Sequence, residues 1–150
     1  MTTVYKLPSD SATIKTEVVC PTDANPMGML LGGRLVEWMD IAAAITSQTH
    51  SGRVCVTASI NKVDFIAAAN IGDIISIQAK VTRAFVTSME VVVYAYSKKV
   101  LTGQKYLVSE AYFTFVALDD SGKATAVIPL KPVTQEEKTD YHEALKRKQR

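Results

Sequence analysis

The chain has 150 residues, 47% of them apolar and 21% charged, with a formal net charge of +2. This describes one folded domain with enough core to stand without disulfides or a structural metal. So small a charge does not argue for nucleic acid, and no apolar run approaches the length that spans a bilayer, so membrane insertion is not expected. The N-terminus MTTVYKLPSD lacks the charged-apolar-small order of a signal peptide. Cys20 and Cys55 are far apart, and His50 and His142 add no ligand spacing, so a cytoplasmic protein with no disulfide and no metal is expected.

Residues 12–19 alternate, with Ile14, Thr16 and Val18 against Thr13, Lys15 and Glu17, which predicts a strand that Pro21 stops. The turn formers of PTDANPMGM then deliver the chain to LGGRLVEWMDIAAAI, residues 31–45. This stretch is apolar almost all round. Two glycines open it, helix formers carry it on, and only Glu37 and Asp40 are polar between Leu35 and Ile45, which predicts a core helix starting at Gly32 or Gly33. Glu37 and Asp40 are three residues apart and share a face, where carboxylates are costly unless something pairs or uses them.

Beyond the Ser51-Gly52 break, period two returns from Arg53 to Phe65. Val54, Val56, Ala58 and Ile60 lie against Cys55, Thr57, Ser59 and Asn61. The second set is polar and mostly uncharged, either a solvated sheet face or a hydroxyl-lined wall beside a ligand. Asn70-Ile71-Gly72-Asp73 turns the chain into a strand through Ile75, Ile77, Ala79 and Val81, and a reversal near Thr87-Ser88 starts another, Met89–Lys98. Leu101-Thr102-Gly103 supplies a hairpin, and Tyr106–Leu118 is long and aromatic, as central strands often are. After Pro129 and Pro132, Thr134 and Glu137 have capping-box spacing for an amphipathic helix and basic tail over about 134–150. Its cations, Lys146, Arg147, Lys148 and Arg150, form either a solvated tail or a patch for a phosphorylated ligand or an acidic surface. Together these elements predict an α+β domain in which one antiparallel sheet curls round one helix.

Several motifs in order carry a resemblance over nearly the whole chain. They are Asp23-Ala24-Asn25, Gly32-Gly33 leading to Met39-Asp40 and a run of small residues, Gly52-Arg53-Val54, Val63-Asp64-Phe65, Ile71-Gly72-Asp73, Ser88-Met89-Glu90-Val91, and AYFTFV at 111–116. The sequence resembles the hotdog-fold acyl-CoA thioesterases, in the branch of bacterial YciA-type enzymes and brain acyl-CoA hydrolases. The resemblance implies a five-stranded sheet round the helix and hydrolysis of acyl-CoA to free acid and coenzyme A, without metal or redox cofactor. It also implies a homodimer paired through the second strand, active sites between subunits, and commonly a trimer of dimers. An edge strand at Arg53–Phe65 would need such a partner.

Carried onto this chain, the resemblance makes Asp40 the general base or nucleophile. Gly32 and Gly33, at a helix start, would offer free N–H groups to the thioester oxyanion, and as glycines they permit close approach and an unusual turn. Asn25 either lends its amide or stabilises its own turn. Ser88 either orients water or the pantetheine arm or satisfies a hairpin. Arg53 first, then Lys62, Lys98, Lys99, Lys146 and Arg147, are the cations for the phosphates of coenzyme A. Relatives often carry Asn or Asp where this chain has Met29, and His where it has Leu31. That departure leaves open an acyl-CoA-binding sensor without turnover. A hydratase or dehydratase of the same fold would need a His at the active helix, where neither His50 nor His142 is expected.

Overall fold

The computed structural model describes residues 4–149, so Arg150 of the basic tail lies outside the described residues. Five strands, β1 (Thr13–Val18), β2 (Val54–Phe65), β3 (Ile74–Ala84), β4 (Ser88–Lys98) and β5 (Lys105–Leu118), form one antiparallel sheet in the order β1-β3-β4-β5-β2. A short turn α1 (Pro8–Ser11), which the sequence reading did not anticipate, precedes β1. The long helix α2 (Gly32–Ser51) packs on one face of the sheet, and α3 (Gln135–Lys148) packs on the other. Among the described residues no helix is long and apolar enough to cross a membrane.

The core sits between α2 and the inward-facing strand residues. Met39, Ala42 and Ala43 meet Ile75, Ile77, Val91, Val93, Phe113 and Phe115, all fully buried. The alanines bring the helix axis close to the sheet. Gly52 ends the helix in the left-handed region at φ 67°, its N–H bonded to Gln48 O at 2.8 Å. The sheet and its long helix are those expected, with β5 an interior strand between β4, the middle strand, and the β2 edge. The single sheet faces α2 from one side, and Ile41 and Ile45 stay 41% and 44% exposed, in a stripe with Glu37 and Gln48.

Strand β2 departs most from its period-two reading. Its register against β5 shifts between Thr57 and Ser59 and again between Ile60 and Lys62, and each extra residue exchanges the faces. Cys55, Thr57, Ile60, Val63 and Phe65 oppose the buried Ala117, Phe115, Phe113, Ala111 and Ser109, so all five share the helix-facing side. Ser59 crosses to the outer face with Val56, and Ile60 joins the set expected to be polar.

Helix α3 starts at the predicted capping box. Thr134 Oγ1 accepts from Glu137 N, and Glu137 Oε1 accepts from Thr134 N, each at 3.1 Å. Its far end is fixed by Arg147, which donates to Glu90 Oε2 at 2.9 Å and Oε1 at 2.6 Å and lies 3.9 Å from the Tyr112 ring centroid. Thr82 Oγ1 donates to the same carboxylate at 2.7 Å.

Removing Arg147 would strand Glu90, which is 2% exposed. Arg147→Met should therefore lose about 3 kcal/mol in denaturant unfolding, and adding Glu90→Gln should recover most of it. The second expectation concerns His50, fully buried in the last turn of α2 with its ring N–H at Nε2 donating to Ile128 O at 2.8 Å. Burial holds the imidazole below its ordinary 6.5, with the Ile128 carbonyl opposing that shift. The unfolded chain then takes up a proton that the folded one refuses. Stability is present above about pH 6.5 and is lost as pH falls below it, by up to roughly 1.4 kcal/mol per pH unit. Thermal unfolding from pH 7.5 to 5.5 should show this slope, and His50→Gln should remove it.

Candidate active site

The site begins in the loop before α2. Asn25 Oδ1 accepts from Met27 N at 2.9 Å and Met29 N at 3.1 Å, while Asn25 N donates to Met29 O at 2.8 Å. The side-chain oxygen thus stabilises its own turn and fixes where the amide NH2 points. Asp23 ties this loop to the helix, its backbone O accepting from Leu31 N at 2.9 Å and its carboxylate 3.3 Å from Arg34 Nε. Leu31 takes the N-cap position and has no side chain to cap with. The N–H groups of Gly32, Gly33 and Arg34 therefore emerge without intrahelical acceptors, at the positive end of a twenty-residue helix.

The glycines matter through space. Neither has positive φ, so the unusual turn expected of them is not formed. A Cβ on Gly32 would lie 3.3 Å from the Phe65 ring, and at Gly33 it would meet nothing within 4 Å, so close packing accounts for the first glycine and not for the second.

Asp40 sits two turns further along the same stripe. It is half-buried where α2 meets β2, less enclosed than expected, and its Oδ1 accepts from Thr57 Oγ1 at 2.7 Å. That bond orients the carboxylate. Glu37 plays no part in this and pairs on the exposed side with Arg34 at 3.2 Å. Thr57 is the residue that the sequence reading did not single out. It lay within the polar β2 set read as a possible ligand wall, and it keeps that face, opposite Phe115 and in step with Cys55, ahead of the first bulge at Ala58.

The remaining expected residues are scattered. Seven residues of α-helix separate Gly33 from Asp40 by about 10 Å along the axis, so one chain does not bring both to one reacting carbon. Ser88 lies on the outer face with Glu90 and Thr114, its Oγ 3.5 Å from Lys148 Nζ, and does not meet Asp40. Arg53 donates to Leu118 O at 2.9 Å and to Asp120 at 3.1 Å. Lys99 is bound to Asp73 at 2.7 Å, and Arg147 to Glu90. Lys98 is exposed at the end of β4. Lys62, 3.8 Å from Asp64, shares an outer-face cleft of about 530 Å³ with Lys146 and Arg147, but also with Glu110 and Glu143. His50 is on α2, yet ten residues beyond Asp40 and buried, so it offers nothing to hydratase chemistry.

Known proteins resemble this chain in sequence and in fold. An acyl-CoA thioester hydrolase described as uncharacterized, YkhA of Bacillus subtilis, is 36% identical over 138 residues, covering 92% of this chain and 80% of that one. The acetyl-coenzyme A thioesterase of Mus musculus is 36% identical over 135 residues. These cover 90% of this chain but 24% of that protein, so this chain spans about a quarter of its length. The Staphylococcus aureus acyl-CoA hydrolase, solved in complex with butyryl coenzyme A, coenzyme A and coenzyme A disulfide, superposes with a TM-score of 0.91 at 38% identity, covering 97% of this chain and 89% of that one. Variants of that enzyme with an Asp, an Asn or a Thr replaced by Ala have been solved as well. An acyl-CoA thioesterase described as hexameric superposes at 0.92 with 40% identity, covering 96% and 94%. The sequence profile of the thioesterase superfamily matches residues 27–104, and with these relatives it places the chain in that superfamily.

Proposed function

We propose that the protein hydrolyses acyl-CoA thioesters to free carboxylic acid and coenzyme A, with Asp40 of one subunit and the Gly32-Gly33 helix start of another acting on the same thioester. The observation that carries this reading is the half-buried Asp40 carboxylate, oriented by Thr57 and two turns along the helix from an uncapped N-terminus. The names of the relatives support the reaction. The three residues replaced in the Staphylococcus aureus variants stand 15 and then 17 residues apart, the spacing of Asn25, Asp40 and Thr57, which supports these residues as the site.

Asp40 either takes a proton from water, which attacks the thioester carbon, or attacks that carbon itself and is released by water. The carbonyl oxygen gains negative charge and meets the first-turn N–H groups and the positive end of the helix dipole. Collapse breaks the carbon–sulfur bond, and the coenzyme A thiolate takes up a proton. Thioester plus water balances as acid plus thiol, so the reaction consumes no redox co-reactant.

A second copy supplies what one chain lacks. Strand β2 is an unpaired edge with Val54 and Val56 exposed, beside the Ile41–Ile45 stripe. Two-fold antiparallel pairing of β2 would cover both and run the two α2 helices in opposite directions, bringing each helix start toward the other's Asp40. The hexameric relative supports a trimer of such dimers. The free thiols Cys20 and Cys55 suit the cytoplasm. With Arg53, Lys99 and Arg147 held by the fold, Lys98 and the surface-paired Lys62 and Lys146, whose partners Asp64 and Glu143 lie at 3.8 and 3.2 Å on the exposed surface, are the cations left for the nucleotide phosphates.

Thiol release from a panel of acyl-CoAs tests the reading. Asp40→Asn should lower kcat by about 10²–10⁴-fold, and Thr57→Val, which keeps the shape and loses the hydroxyl, by about tenfold. A wild-type protein that binds acyl-CoA without releasing thiol would overturn the reaction. Gly33→Pro removes one donor at a position where a helix tolerates proline. Reassembled with Asp40→Asn subunits, it should restore about a quarter of wild-type turnover, since half the dimers are mixed and each has one intact site. Two inactive proteins that stay inactive when mixed would overturn the shared site.

A further inference from the structure

We infer that Lys99 and Asp73 form a latch that positions the α2 N-terminus for oxyanion binding, making both positioning residues for the proposed reaction. The latch is a convergence of donors on one oxygen. Asp73 Oδ2 accepts from Lys99 Nζ at 2.7 Å, Asn70 N at 2.9 Å and Ser97 Oγ at 3.0 Å, and Lys99 Nζ also donates to Asn70 Oδ1 at 2.9 Å. Asp73 is 5% exposed, so its charge must be answered here. Burial would push the carboxyl up, yet Lys99, the Asn70 N–H and the Ser97 hydroxyl together hold it below the usual range.

What the latch fixes leads directly to the glycines. Asn70 lies in the 66–72 loop, which forms a second, irregular ladder with the segment before α2. Leu30 N donates to Ala69 O at 2.8 Å, Ile71 N donates to Gly28 O at 3.0 Å, and Met29 bridges Asn70. The Asp73 backbone O accepts from Val19 N at 3.0 Å, and Val19 O accepts from Gly72 N at 2.9 Å, which ties in the end of β1. Leu31 follows Leu30 and is the N-cap of α2. The order is thus Lys99 to Asp73 and Asn70, to the 66–72 loop, to residues 28–30, to the free N–H groups. No other described element bonds the backbone of residues 28–30 from outside their own turn. Catalytic donors displaced by about 1 Å cost up to about a hundredfold in rate, so a remote pair can act through this path.

The inference rests on the proposed hydrolase reading, and its test has two readouts. Lys99→Met and Asp73→Asn should each lower kcat for acyl-CoA by about tenfold to a hundredfold with KM unchanged, and Lys99→Arg should restore it. Hydrogen exchange followed by mass spectrometry should show faster exchange in residues 28–35, with the β4 and β5 peptides unchanged. Should Asp73→Asn fail to fold, Lys99→Met alone decides, because its partly exposed side chain is the milder loss. Unaltered kcat in a folded Lys99→Met protein, or exchange that rises throughout the chain, would overturn the latch. A wild-type protein without thiol release would instead remove the hydrolase reading, and the exchange pattern would still decide the latch.

Discussion

A helix with apolar side chains on nearly every side cannot be covered by one five-stranded sheet. The sheet reaches Met39, Ala42 and Ala43, and the far side of α2 is left with Ile41 and Ile45 in the open. The strand beside that gap, β2, is also short of a neighbour. These two deficits lie side by side, and the Asp40–Thr57 bond is set in the seam between them. The Asp40–Thr57 pair therefore stands where the apolar surface is least covered.

The charges follow a similar logic. A nucleotide-bearing substrate invites a search for cations, yet Arg53, Lys99 and Arg147 are each committed to a carboxylate of the fold. Arg147 fastens α3 to the outer sheet face, and Lys99 fastens a loop to the segment before α2. For Lys99 and Arg147, whose partners Asp73 and Glu90 are buried, the pairing holds the frame because leaving the carboxylate unanswered is expensive, whereas the Arg53 partner Asp120 is exposed and Arg53 is anchored by Leu118 O. Sequence alone gives no way to tell a cation of this kind from a free one.

Much of the fold was legible because its signals are periodic. The helix from Gly32, the alternation of β3, and the capping box at Thr134 and Glu137 all stand where spacing placed them. Strand β2 was legible as a strand but not in its faces. A bulge adds a residue without altering composition, and the one at Ala58 moved Ser59 and Ile60 to opposite sides from those expected, until the second at Asn61 restored the original alternation. Asp40 and the glycines were singled out by motif resemblance, and helical rise sets their separation and limits what one chain can do. Thr57 lies on the face that period two gave it, yet the pattern alone did not tell its hydroxyl from the others of that set.

The irregularities in β2 bear on more than which side chains face the helix. A flat, regular edge of twelve residues would accept a neighbour at many offsets and could grow into an open ribbon of chains. With the ladder kinked at Ala58 and again at Asn61, any neighbouring strand would find matched twist in few alignments. The strand that invites company thereby also limits how much of it can come.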